Sequence, residues 1–172
     1  MTRLALALAI AFVLARPAQA AELTLSVGRY AAGARGDLGI AEGSLVQVGL
    51  AGSRQPGSEV ELALEGRLGR AAAEPSPLAV GFTGLSLRYT RFIAAQSPTQ
   101  PFVGVGFDFG SDARAGQTPV FETPSLAGHL FAGLRVPLAR RVAALVTVLA
   151  GLDAAGAPMA AVSVGAAWEV DL

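Results

Sequence analysis

Few side chains in this chain could do chemistry. Histidine occurs once, at His129, and cysteine is absent. Ser125 precedes His129 by four residues, and on an extended segment that places them about 13 Å apart. A nucleophilic serine needs its base within hydrogen-bond reach, and no other segment visibly supplies one. One histidine with scattered carboxylates matches no zinc or calcium ligand spacing. Gly104-Val105-Gly106 runs into Phe107 and Asp108 without a helix start, so the dinucleotide fingerprint fails on context. No catalytic residue, metal ligand or cofactor is expected. What the chain does offer is charge in a periodic setting. Glu61, Glu65, Arg67, Arg88, Asp108, His129, Arg135 and Glu169 each fall on the polar face of an alternating segment.

Those segments must be strands, because side chains two residues apart share a face only in extended chain. In segment 22–30, Leu23, Leu25 and Val27 oppose Thr24, Ser26 and Gly28. In 44–51, Val46, Val48 and Leu50 oppose Leu45, Gln47 and Gly49. The clearest is 58–69, where Val60, Leu62, Leu64 and Leu68 oppose Glu59, Glu61, Glu65 and Arg67. In 80–91, Leu85, Leu87 and Tyr89 alternate with Ser86, Arg88 and Thr90. Val80 and Phe82 break that phase, which predicts a bulge near Gly84. In 102–110, Val103, Val105, Phe107 and Phe109 oppose Gly104, Gly106 and Asp108. In 126–136, Leu130, Leu134 and Val136 oppose His129, Phe131 and Arg135. Segment 142–151 is apolar on both faces and has no readable orientation. In 160–172, Val162, Val164, Trp168, Val170 and Leu172 oppose Ser163, Gly165, Glu169 and Asp171.

The N-terminus reads differently. Thr2-Arg3 is a short basic start, Leu4 to Leu14 is unbroken apolar, and Ala18-Gln19-Ala20 is a small-x-small cleavage site. Residues 1–20 are therefore expected to be a secretory signal peptide, with one mature domain over 21–172. Removing Arg3 and Arg16 from 13 basic residues, against 13 acidic ones, leaves the mature chain slightly acidic. It has no basic patch, which argues against nucleic acid. Every basic residue is Arg, with no Lys and no Asn, which fits GC-rich bacterial coding.

The chain is 52% hydrophobic and 15% charged, yet no segment after residue 20 is long enough for a membrane helix. The one other structure that crosses a bilayer is a closed β-barrel. Eight strands are the smallest usual number for an outer-membrane barrel. The connections 31–43, 70–79 and 111–125 are long and 137–141 is tight, as expected if long loops lie outside and short turns face the periplasm. Connection 92–101 is longer than that rule predicts. Asp37, Asp112, Arg114 and Glu122 are expected in the outer loops, where they could meet lipopolysaccharide, ions or a surface. The polar faces are rich in Gly, Ala, Ser and Thr, and their few charges nearly balance. A narrow, paired interior accounts for both features better than a solvated exterior does.

The ending Val162-Ser163-Val164-Gly165-Ala166-Ala167-Trp168-Glu169-Val170-Asp171-Leu172 resembles the terminal strand of outer-membrane barrels. Gln100-Pro101-Phe102-Val103-Gly104-Val105-Gly106-Phe107 is similar to a recurrent strand of the OmpA/OmpX-like small outer-membrane barrel family. The resemblance implies an all-β, eight-stranded, antiparallel up-and-down transmembrane barrel in the outer membrane of a Gram-negative bacterium. It implies a C-terminal assembly signal carried by Trp168, Val170 and Leu172 and read by the barrel-assembly machinery. Its surroundings would be outer-membrane lipid and lipopolysaccharide, and a monomer is expected. The family usually ends in Phe, and this chain ends in Leu172. Lipid A deacylases of similar size use a His with a Ser two residues on, followed by Asn. Here Leu130 and Phe131 follow His129, so that motif is absent. The function expected is structural, adhesive or surface-interacting, with a narrow filled lumen and no catalysis. Two alternatives stand beside it: a soluble periplasmic or secreted barrel holding an apolar ligand, and a lipid-modifying outer-membrane enzyme.

Overall fold

The computed structural model describes residues 21–32, 40–71, 79–114, 124–153 and 156–170. Each alternating segment is a strand: β1 (Ala21–Ala32), β2 (Ile40–Gln55), β3 (Ser58–Ala71), β4 (Ala79–Phe92), β5 (Gln100–Arg114), β6 (Pro124–Ala139), β7 (Val142–Asp153) and β8 (Pro158–Val170). Each pairs with the next, and β8 pairs antiparallel with β1, so the barrel is closed. Closure leaves no edge whose backbone groups would lack partners in hydrocarbon.

The stagger sets the shape. Paired residues lead from Ala21 to Gly52 and Val60, then through Tyr89, Val105, Leu130 and Ala150 to Ala160. Ala160 pairs with Ala31, so one circuit advances ten residues along β1 (31 − 21). With roughly 3.3 Å per residue and 4.8 Å between strands, that stagger tilts eight strands by roughly 40°. A barrel of this size has an interior just wide enough for side chains.

The two faces separate by exposure. Leu64 is 63% exposed, Leu130 66% and Val164 55%, whereas Asp108 and Ser86 are fully buried. Apolar residues therefore cover the outer wall and charged ones fill the inside, the reverse of a soluble lipocalin-type barrel. The chain is a transmembrane β-barrel, and the reading of a soluble barrel with an apolar interior is set aside by this orientation. Leu62 and Leu85 also take the outward parity, half-buried among their neighbours.

β7 gains an orientation from its ladder. Val146 lies between Leu134 and Val164 on the outer wall, and Thr147 lies between Gly133 and Ser163 inside. Buried Ala143 and Leu149 share the inward face of β7 with Thr147. The bulge expected near Gly84 is absent. The β3–β4 register runs unshifted from Arg70↔Ala79 to Ser58↔Arg91. A break in apolar phase at Val80 and Phe82 therefore marks no register shift, and lumenal positions elsewhere accept Leu45, Phe102 and Phe131. Irregularities lie instead between Ile40 and Glu42, Ser53 and Gln55, and Pro137 and Ala139.

Short connections gather at one end. Pro56-Gly57 joins β2 to β3, with Gly57 at φ 78°, a conformation open to glycine at little cost. Arg140-Arg141 joins β6 to β7. The longer connection 93–99 is held down by backbone bonds from Ile93 N–H to Pro101 O (2.9 Å) and from Phe92 N–H to Gly57 O (2.8 Å). Asp112 and Arg114, expected in a loop, belong to β5, which runs on to Arg114 because its pairing with β4 continues that far. Asp37, Glu122, residues 1–20 that were expected to be a signal peptide, Asp171 and Leu172 lie outside the described residues.

The charged lumen as candidate functional site

The interior charges assemble because parity aims them inward and the stagger brings distant strands to one height. Glu65 and Arg67 are two apart on β3 and so share a face; Arg67 Nε donates to Glu65 Oε1 at 2.5 Å. Arg67 Nη2 reaches across β4 to Asp108 Oδ2 on β5, at 2.6 Å. Asp108 Oδ1 accepts from Ser86 Oγ at 2.7 Å, and Arg88 Nε donates to the same hydroxyl at 3.3 Å. Arg88 also faces Glu65 at 3.7 Å and Glu61 at 4.0 Å. Gln47 donates to Glu65, and Thr24 donates to Glu61.

His129 completes this layer on the β6 side. Its side chain has no solvent exposure, and Nδ1 stands 3.2 Å from Asp108 Oδ2. That is ion-pair distance, but neither ring nitrogen makes an aligned hydrogen bond among the described residues. Gly106 is the neighbour that makes room for the ring, since a methyl group there would collide with it. Three carboxylates, Glu61, Glu65 and Asp108, meet two guanidiniums. Ser86 and His129 both address Asp108 and not each other, so they do not form a serine–base relay.

A second layer lies toward the end with the short turns. Arg135 Nη1 donates to Glu59 Oε1 at 3.1 Å, and Nη2 donates to Glu22. Between the layers runs a ladder of edge-to-face rings. Phe131 to Phe102 is 6.2 Å and Phe102 to Phe92 is 5.9 Å between centroids. Each end carries a guanidinium, Arg88 5.5 Å from Phe131 and Arg135 5.7 Å from Phe92. Such stacking suits Arg, whose flat, weakly hydrated cation tolerates an aromatic face. A chamber of about 60 Å³ beside the ladder is lined by Thr24, Glu61, Thr90, Thr147 and both arginines. It has room for a few waters. Toward the loops, Arg67 Nη1 meets Met159 Sδ at 3.7 Å and the guanidinium lies over Tyr30.

Of the charges read from alternation, Glu61, Glu65, Arg67, Arg88, Asp108 and His129 meet in one layer, and Arg135 stands in the other. Glu169 joins neither. It has inward parity, but it lies exposed at the barrel end, where water solvates it, and no ion pair of it occurs among the described residues. Sequence reading missed Glu22 as the partner of Arg135, although its parity with Thr24 and Ser26 was visible. It also missed Gln47 and Ser86 as interior hydrogen-bond partners. Trp168 and Val170 take the outward face of β8. No group of three His, Asp or Glu among the described residues is placed to hold a metal ion.

No family model matches the chain, and no curated protein matches it. Solved structures do. Neisserial surface protein A is 12% identical with a TM-score of 0.67, covering 86% of this chain and 96% of that one. OprG of Pseudomonas aeruginosa is 9% identical with a TM-score of 0.59, covering 89% and 97%. A de novo designed transmembrane β-barrel is 12% identical with a TM-score of 0.50, covering 90% and 98%. At these identities the likeness is one of fold, and the fold is that of the small OmpA/OmpX-like outer-membrane barrels.

Proposed function

We propose that this chain is a monomeric outer-membrane barrel of structural, adhesive or surface-interacting role, with its lumen closed to solutes and no catalysis of its own. The observation that carries this reading is the interior layer of Glu65, Arg67, Ser86, Arg88 and Asp108, which crosses the lumen as carboxylates and guanidiniums paired with one another, with the enclosed His129 ring beside Asp108. Groups that already satisfy one another leave no convergent polar surface for a substrate. They also oppose ion passage, because a permeant ion would have to displace paired charges.

In this reading residues 1–20 are removed on export, so the purified protein begins at Ala21. Outer-membrane lipid and lipopolysaccharide surround the wall. The assembly machinery recognises the outward Trp168 and Val170 together with Leu172. Fractionation with heat-modifiable gel mobility, followed by planar-bilayer recording, tests the whole. The expected result is a folded outer-membrane species without steady conductance, and with no change in lipid A or phospholipid products. A stable ohmic conductance would overturn the closed lumen, and a modified lipid product would revive the enzyme. Deleting Trp168 to Leu172 should abolish outer-membrane accumulation, and normal levels of the truncated chain would sink the assembly signal.

A further inference from the structure

The outer wall is not evenly filled. A groove of about 600 Å³ crosses it from β4 to β7, almost wholly apolar. Its two banks are rows of paired residues. Tyr89, Val105 and Leu130 form the upper one. Val103 and Val148 flank Ala132 in the lower one, and this short side chain between Leu130 and Leu134 opens the trough. Three strand spacings make it about 14 Å long, and with strands tilted by roughly 40° it climbs about 9 Å along the barrel axis, within the hydrocarbon depth of one leaflet, which is about half of ~30 Å. The ladder rises from β4 toward β7, so the β4 end of the groove is the one nearer the short turns.

At that end stands Arg91, exposed and outward, one residue before β4 ends at Phe92. Its ladder neighbours are Ser58 and Val103, and no ion pair of Arg91 occurs among the described residues. An outward Arg is tolerated near a membrane interface and costly deeper in the bilayer. A guanidinium there has one natural complement, the phosphate of a lipid headgroup, which it can hold with two parallel hydrogen bonds. Short turns mark the periplasmic end. The geometry points to a phospholipid site of the periplasmic leaflet, with the phosphate on Arg91 and one acyl chain in the groove over Ala132. It rests on the outer-membrane reading above, which fractionation tests separately.

Native mass spectrometry of the full barrel released from detergent tests the site. The probes are phosphatidylglycerol and a diacylglycerol with the same chains but no phosphate. The barrel is expected to retain one phosphatidylglycerol, about tenfold more tightly than the diacylglycerol. Arg91→Gln and Ala132→Phe should each weaken it by about tenfold, the first by removing the phosphate's partner and the second by filling the trough. Arg140→Gln removes the same charge at the same end of the barrel and should change nothing. All three positions face outward or lie in a turn, and heat-modifiable mobility reports each barrel's fold independently. Retention unaffected by Arg91→Gln, or equally weakened by Arg140→Gln, means non-specific boundary lipid and overturns the site. Sensitivity to Arg91→Gln alone overturns the groove. Lipopolysaccharide retained in place of phospholipid, or a dimer that Ala132→Phe dissociates, overturns the occupant.

Discussion

The two charged layers of the lumen use the same chemistry at different depths. At the centre of the middle layer Asp108 has no side-chain exposure and Glu65 has 1%, while Glu61 at its edge has 17%. In the layer near the turns the Glu22 and Glu59 side chains are 14% and 20% exposed. The middle carboxylates accept from several groups at once: Asp108 takes Arg67 and Ser86 and faces His129. The outer ones share a single arginine. Desolvation raises both the cost of an unpaired charge and the strength of a paired one. The middle layer is therefore where a wrong residue does damage. The outer layer is close enough to water for solvent to repair the loss.

The largest expected effect is at Asp108. Asp108→Ala leaves Arg67 with one carboxylate and the Ser86 hydroxyl without its acceptor, both inside the wall. It should cost about 3–5 kcal/mol, the range for removing one partner of a buried charged set. Urea unfolding in lipid vesicles, followed by gel mobility, measures it. A cost under about 1 kcal/mol would put the two layers on one footing, because that is the range of an exposed pair.

A smaller effect should follow from crowding the same layer without touching its charge. Gly106→Ala places a methyl against the His129 ring, which is enclosed and has little freedom to withdraw. Overpacking of this kind costs about 1–3 kcal/mol. Gly66→Ala is the control, because nothing lies within 4 Å of the added carbon. Equal stability of the two variants would show that the middle layer has slack.

Much of this was legible in alternation. It gave eight strands and the facing of seven, since charged or small residues opposed branched ones throughout. It could not orient β7, because this lumen also accepts apolar side chains: Leu149 and Ala143 are buried inside while Val146 and Val148 cover the wall. Val80 and Phe82 broke the phase of β4 and read as a bulge, yet the β3–β4 ladder runs through them unshifted. Alternation also says nothing about which charges meet. Arg67 finds Asp108 two strands away, and Arg135 on β6 finds Glu22 on β1 and Glu59 on β3. Those meetings depend on stagger and curvature, which no single strand encodes. Arg91 was not singled out by alternation, and the groove beside it exists only once β4 to β7 are in register.

The smallest effect tests the comparison most directly. Arg135→Gln removes the cation that joins Glu22 and Glu59 but keeps a hydrogen-bond donor. With 18% of the Arg135 side chain exposed, both carboxylates can recruit water or a counterion. The loss should be about 1 kcal/mol, near the upper end for accessible pairs. It should also shrink as salt is raised, since at about 1 M ionic strength the screening length falls to about 3 Å. Arg135→Lys should recover part of the charge term but not the contact with the Phe92 ring, where a flat guanidinium is the better fit. Repeating the Asp108→Ala measurement across the same salt series gives the counterpart. Its cost should barely move, because ions do not reach a carboxylate with no exposed surface. If Arg135→Gln proves as costly as Asp108→Ala and as indifferent to salt, depth does not distinguish the layers. The lumen would then be a single buried network from Arg67 to Arg135.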